Sequence, residues 1–241
     1  MAAMTCRIRR ISHAAMVCMF LNSALFTYNA RAGKTPGLWN ELTPTQLKIV
    51  QDGGRVMTTT AIPGRPWPLV HVYQIIAASP EEVAAVFFDY KTAYTYVPHL
   101  LQSTISKTID ARTHEVDYRI AIPPLPEERY TVRNSLHPVI DGMYEIDWKL
   151  IRASSTRASE GSFRIQAYGK NQSIFCYSNL VVPGTRLAVV LRGLALEQVQ
   201  KNIDALIHQV AKQKALHPQS LRNQVEVLRA ALSQPETSPA P

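Results

Sequence analysis

Cysteine is scarce in this chain. Three occur in 241 residues, and Cys6 and Cys18 fall within the first thirty-two, so a chain trimmed there keeps only Cys176. That excludes a disulfide framework and leaves the fold to stand on its hydrophobic core. Long apolar runs are also missing. The best candidate, Ala14 to Phe26, spans about thirteen residues and is interrupted by Asn22 and Ser23, short of the roughly twenty that a membrane-spanning helix needs. No G-x-S-x-G elbow, phosphate-binding loop or dinucleotide fingerprint is present. His71, His99, His114, His137 and His208 stand at no metal-ligand spacing and have no cysteine companions, so neither a metal nor a cofactor is expected. Lysine and arginine form no clustered stripe, which argues against nucleic acid as a partner.

What is present begins with an address. Arg7, Arg9 and Arg10 precede the short apolar run, and Ala30-Arg31-Ala32 follows it. This is the layout of a secretory signal peptide cleaved after Ala32, and it predicts an exported, periplasmic protein. Removing residues 1–32 leaves 22 Lys and Arg against 18 Asp and Glu, so the balance falls from +8 to +4. Transient contact with an anionic membrane surface stays open to such a chain.

Residues 33–54 read as an N-terminal extension. It starts loosely, then Thr43-Pro44-Thr45-Gln46 supplies an N-cap, a proline at N1 and a glutamine at N3, and Asp52-Gly53-Gly54 ends the short helix. Residues 55–60 and 69–78 read as strand segments joined through a proline-rich bend at 63–68. Ser79, Pro80 and Glu82 cap a second helix, in which Val83, Val86, Phe87 and Tyr90 recur at helical spacing. From about residue 101 the period becomes two. Val116, Tyr118 and Ile120 alternate with charged residues, as do Tyr130, Val132 and Asn134, then Tyr144, Ile146, Trp148 and Leu150, then Phe163 and Ile165. That is a meander of antiparallel strands with one covered and one wet face. The last strand, 173–182, is apolar on both sides. An apolar stripe from Leu187 through Leu194, Val199, Ile203 and Leu206 to Val210 predicts one continuous helix of about 42 Å. Leu221, Val225, Leu228 and Leu232 suggest a further amphipathic helix within 213–241, before a tail without order.

This order of elements is α+β: a curved antiparallel sheet wrapped around a long C-terminal helix, with two short helices after the first strand. The stretch S-P-E-E-V-A-A-V-F-F-D-Y-K-T-A-Y-T-Y-V-P-H-L, residues 79–100, resembles the segment between first strand and meander in the START-like superfamily of polyketide cyclase and coenzyme Q-binding type (SRPBCC). P-L-P-E-E-R-Y-T-V-R, residues 124–133, is similar to the proline-rich turn and strand start of START domains, and Pro183-Gly184 precedes the terminal helix. The resemblance covers about residues 55–212. It implies the helix-grip fold and a hydrophobic cavity between sheet and helix that takes a lipid, a sterol-like molecule or a quinone. It does not imply one reaction.

The candidate ligand-contacting residues are Phe87, Tyr94, Tyr96, Tyr118, Asn134, Tyr144, Trp148, Phe163, Tyr177 and Arg192. The aromatics combine apolar bodies with, in most cases, a polar tip, which suits a hydrophobic ligand carrying one hydroxyl or carbonyl. Asn134 breaks an apolar inward face and reads either as a satisfied core amide or as a contact for a polar head. Arg192 beside Gly193 is either an exposed arginine or a ligand contact. Glu145 and Asp147 share a strand face with Lys149 and read as outer surface, and no catalytic set emerges. The leading expectation is an exported carrier or sensor of a hydrophobic ligand. The alternatives are a cyclase- or dehydratase-like enzyme on the same scaffold, or an envelope interaction module acting through residues 219–232.

Overall fold

A computed structural model describes residues 36–234. The expected signal peptide, residues 1–32, lies outside the described residues, as does the tail beyond 234. Eight strands build one antiparallel sheet: β1 (Arg55–Thr60), β2 (Leu69–Ile76), β3 (Leu100–Thr108), β4 (Thr113–Ile120), β5 (Glu128–Leu136), β6 (Tyr144–Ala153), β7 (Ala158–Ala167) and β8 (Ser173–Val182). Their order is β1-β2-β8-β7-β6-β5-β4-β3. β3 to β8 form the meander that the period-two pattern predicts, and β2 closes onto β8.

Among the described residues five α-helices accompany the sheet: α1 (Pro44–Gln51), α2 (Pro80–Phe88), α3 (Arg186–Val190), α4 (Arg192–Leu216) and α5 (Pro218–Ser233). Both capping boxes form as their sequences require. Thr43 and Gln46 exchange bonds at α1, and Ser79 and Glu82 do so at α2, each satisfying amides that the first helical turn leaves open. A 3₁₀ turn, Tyr90–Thr95, follows α2. The curved sheet and the long terminal helix make up the helix-grip arrangement.

The terminal helix departs from the expectation of one continuous rod. It is broken at Leu191, which leaves the short α3 and a 25-residue α4 of about 38 Å. Val189, Val190 and Gly193 flank the break, and β-branched residues and glycine are among the weaker helix formers. α4 crosses the concave face of the sheet, where Ile203, Leu206 and Val210 join Val72, Val116, Ile146, Phe163 and Phe175 in the main core.

The N-terminal extension is more than a loose start. A 3₁₀ turn at Leu38–Glu41 and α1 cover the convex side of β1, β2 and β8, where Leu38, Leu42 and Val50 pack on Val56, Tyr73, Ile174 and Cys176. This explains a last strand that is apolar on both sides: Phe175 and Tyr177 serve the concave face, Ile174 and Cys176 the convex one. The cover is fastened by Arg164, which donates two hydrogen bonds to the Glu41 carboxylate at 2.7 and 2.9 Å, and by Tyr73, whose hydroxyl donates to it at 2.8 Å. Cys176 is fully buried there.

α5 packs on α2. Leu221, Leu228 and Ala231 are buried, Arg229 forms a two-point ion pair with Glu81 at 2.6 and 2.7 Å, and Gln224 donates to Asp89 at 2.7 Å. Lys214, in the last turn of α4, reaches Glu82 at 3.0 Å. No helix among the described residues is long and apolar enough to cross a membrane.

Candidate functional site

Between the concave face and α4 lies a cavity of about 410 Å³, within the range of small-molecule sites. β4 contributes Tyr118 and Ile120, β5 contributes Tyr130, Val132 and Asn134, and β6 contributes Trp148 and Leu150. β8 contributes Tyr177, Asn179 and Val181. Each set is spaced by two because only alternate side chains of a strand share a face. α4 closes the top with Leu194, Val199, Ile203 and Leu206, and Phe87 enters from α2.

Of the ten candidate residues, seven line this cavity: Phe87, Tyr96, Tyr118, Asn134, Trp148, Tyr177 and Arg192. Three do not. Tyr94 is half-exposed on the 3₁₀ turn, because neighbouring residues of a tight turn point in different directions. Phe163 is fully buried behind Phe87, with ring centroids 4.5 Å apart, and supports the lining from beneath. Tyr144 sits on the concave side but beyond the cavity end, within electrostatic range of Glu81 and Arg229. Tyr130 and Asn179 were not among the candidates, yet both line the wall. Each stands two or four residues from a candidate on the same strand, so the period-two pattern already carried the signal.

Four cross-strand partners form one row along the floor: Asn179 opposite Gly161, Gly161 opposite Trp148, and Trp148 opposite Asn134. Gly161 is required there, since a Cβ would collide with the Trp148 indole and the Ser178 carbonyl oxygen. The indole therefore lies over bare backbone, 5.3 Å from the Tyr177 ring and 6.2 Å from Phe87. Tyr118 and Tyr130, a cross-strand pair four residues along β5 from Asn134, stack at 5.2 Å.

The cavity is electrically neutral inside. Burial pushes the phenols of Tyr96, Tyr118, Tyr130 and Tyr177 well above their ordinary range, because a phenolate there would lose its hydration. Contacts of Tyr118 with Ser103 and Asn134 work the other way without reversing the result. All four remain hydroxyls across the physiological range. Asn134 donates to the Val132 carbonyl at a long 3.4 Å. Asn179 differs: its side-chain oxygen is buried with no hydrogen-bond partner. Among the described lining residues only Glu128 and Arg192 are charged. Glu128 lies at the rim and accepts from the backbone amides of Ser155 and Thr156 at 3.2 and 2.6 Å, while Arg192 is exposed at the mouth.

The mouth is bounded by the bend before β2, by residues 121–127 and by residues 183–185 just before α3. Trp67 donates its indole N–H to the Val189 carbonyl at 3.4 Å and joins the bend to α3. His99, with a positive φ of 65°, is exposed and stands outside the lining, where its carbonyl accepts from Ala121 at 3.0 Å. Glu145 and Asp147 point away from the cavity, and Asp147 pairs with His137 at 2.9 Å. Among the described residues no three His, Cys, Asp or Glu converge as metal ligands.

No protein-family model and no curated protein matches this sequence. Solved structures do resemble the fold. The STAR-related lipid transfer protein from Xanthomonas axonopodis aligns at a TM-score of 0.59 and 13% identity, over 66% of this chain and 94% of that one. Human STARD10 aligns at 0.62 and 14%, over 75% and 78%. The Zhui aromatase/cyclase from Streptomyces sp. R1128 aligns at 0.54 and 13%, over 61% and 96%. At such identities the likeness speaks for architecture: the chain has the START-like helix-grip fold.

Proposed function

We propose that the protein binds a hydrophobic small molecule or lipid between its sheet and α4, and that it does so as an exported, periplasmic carrier or sensor. The observation that carries the binding reading is the aromatic-walled cavity of about 410 Å³ between sheet and α4, which a packed core would have filled. Each ligand methylene moved into it from water contributes about 0.8 kcal/mol, so a chain of moderate length supplies enough apolar free energy for tight binding without an ionic contact. One of the similar structures, that from Xanthomonas axonopodis, is a lipid transfer protein by name. Export rests on the sequence of residues 1–32. The test is to purify the mature protein from the envelope of its host, extract it with organic solvent and identify released molecules by mass spectrometry. A stoichiometric lipid or other hydrophobic compound is the expected result, and repeated empty extracts together with no binding in vitro would overturn the reading.

One arrangement favours an enzyme on the same scaffold. Tyr118, Asn134 and Ser103 form a polar cluster at the cavity wall, and an aromatase/cyclase shares the fold. Neutral hydroxyl and amide groups can orient a carbonyl and donate to a developing oxyanion. Chemical change in the extracted ligand on incubation, abolished in Tyr118→Phe, would establish this second reading in place of simple carriage.

A further inference from the structure

We propose that the cavity takes a flat ring system carrying a carbonyl oxygen, and that Tyr130 and Tyr177 hold that oxygen with their hydroxyls. The inference rests on the reading of the cavity as a hydrophobic-ligand site and names the chemistry that the site prefers.

Inside the mouth, most polar side chains of the lining are already engaged by the protein. Gln198 donates to the Pro98 carbonyl at 3.3 Å and to Asn202 at 2.8 Å. Asn134 donates to Val132 and contacts Tyr118. The Trp67 indole is taken by Val189, Glu128 accepts from two backbone amides, and the Asn179 oxygen is sealed into the wall. Tyr96, Tyr130 and Tyr177 differ. All three line the cavity, and among the described residues their hydroxyls have no hydrogen-bond partner in the protein, yet none is sealed off as the Tyr90 hydroxyl is. Each is only half-buried, and for a residue of the wall the open surface is the cavity's own. A phenol so deep in a protein ordinarily has a partner, and here the space in front of it is where a ligand lies.

Two of these hydroxyls approach each other. β6 and β7 separate the strand of Tyr130 from that of Tyr177, yet the two phenols lie within electrostatic range of one another. They meet through the space above the sheet, not along it. A carbonyl oxygen has two lone pairs and accepts from two donors. Each neutral hydrogen bond of this kind is worth about fivefold in affinity, and a ligand without an acceptor leaves both hydroxyls unpaired.

The walls set the shape. Tyr118 and Tyr130 stack at 5.2 Å with ring planes 28° apart, and Trp148 and Tyr177 lie at 5.3 Å and 30°. Two parts of the wall thus present paired rings, and each pair includes one of the two hydroxyls. A flat ring extends such a stack face to face, a contact worth more than the area it buries. It also enters already rigid, whereas an open chain gives up its bond rotations on binding.

The experiment uses the purified full chain, stripped of co-purified molecules, and three probes of equal carbon count: fluorenone, fluorene and dihexyl ketone. Fluorene has the ring without the carbonyl, and dihexyl ketone the carbonyl without the ring. Oleyl alcohol serves as a general hydrophobic ligand. Affinities are measured by displacement of Nile red and by native mass spectrometry. Fluorenone is expected to bind about tenfold more tightly than either fluorene or dihexyl ketone. In the double variant Tyr130→Phe/Tyr177→Phe, fluorenone and fluorene should come within about twofold of each other, with the affinity for fluorene kept. Fluorene or dihexyl ketone binding as tightly as fluorenone overturns the inference, as does a carbonyl preference that survives in the double variant. Binding of oleyl alcohol without either ring compound also overturns it and leaves the hydrophobic-ligand reading standing. Failure of all four probes overturns both. Should the double variant not fold, the wild-type series decides by itself.

Discussion

Replacing Leu228 by alanine tests whether α5 is part of the domain or a detachable arm. Leu228 is fully buried, on the face that α5 turns toward α2. Shortening a buried leucine to alanine removes its transfer free energy and leaves a space that neighbours fill only in part, for a loss of about 3 kcal/mol. In a domain of some two hundred residues each kcal/mol moves the melting temperature by about 2–4 °C, so Leu228→Ala should melt about 6–12 °C below the wild type. The adjacent Val227 is 59% exposed, and Val227→Ala should change stability by no more than about 0.5 kcal/mol. Differential scanning calorimetry on the purified proteins reads both. No residue of α5 lines the cavity, so at a temperature well below either transition the two variants should bind oleyl alcohol as the wild type does. A Leu228→Ala protein that melts within about 2 °C of the wild type would refute the packing argument and return α5 to the role of a free helix awaiting a partner.

Val199→Trp places a bulky ring in the cavity from the α4 side and should weaken oleyl alcohol binding by about tenfold or more, as read by probe displacement, while circular dichroism stays that of the wild type. For Glu41, burial raises the carboxyl pKa, but the Arg164 guanidinium and the Tyr73 hydroxyl outweigh it and hold the group below the ordinary range. Its contribution is therefore present above the unfolded value and lost as pH falls through the depressed one. Glu41→Gln should lower the melting temperature by about 2–4 °C near neutrality, for a partly exposed pair worth about 1 kcal/mol. The gap should begin to narrow as pH falls below the ordinary glutamate value of about 4.3, and a gap that persists unchanged into acid would refute the assignment. The mature protein isolated from a Gram-negative host should begin at Gly33 and appear in the periplasmic fraction by N-terminal sequencing. Full-length chain starting at Met1 and retained in the membrane pellet would count against cleavage after Ala32.

Much of the fold was legible because its signals are local. Ser79, Pro80 and Glu82 specify a helix start within four residues, whatever lies around them. The alternation in β4 to β7 assigns one face inward because a strand's side chains can only alternate. That periodicity also placed Tyr118, Tyr130, Asn134 and Trp148 on one surface, whereas β8, apolar on both sides, left the facing of Tyr177 and Asn179 to the tertiary structure. Closure and coverage were not legible. Nothing local in residues 36–54 says that Leu38 and Val50 seal the convex side of β8, because that depends on β2 pairing with β8 more than a hundred residues later. Tyr94 and Tyr144 have the composition of lining residues, and only the path of the 3₁₀ turn and the length of the cavity leave them outside it. The sequence by itself determined most of the elements, the caps of α1 and α2 and the inward face of β4 to β7, all set by neighbours along the chain. The tertiary structure alone decided that Trp148 lies over Gly161, that α5 spends its apolar face on α2, and that the Asn179 oxygen is left without a donor. Those outcomes follow from which distant surfaces are brought together and how much space remains between them.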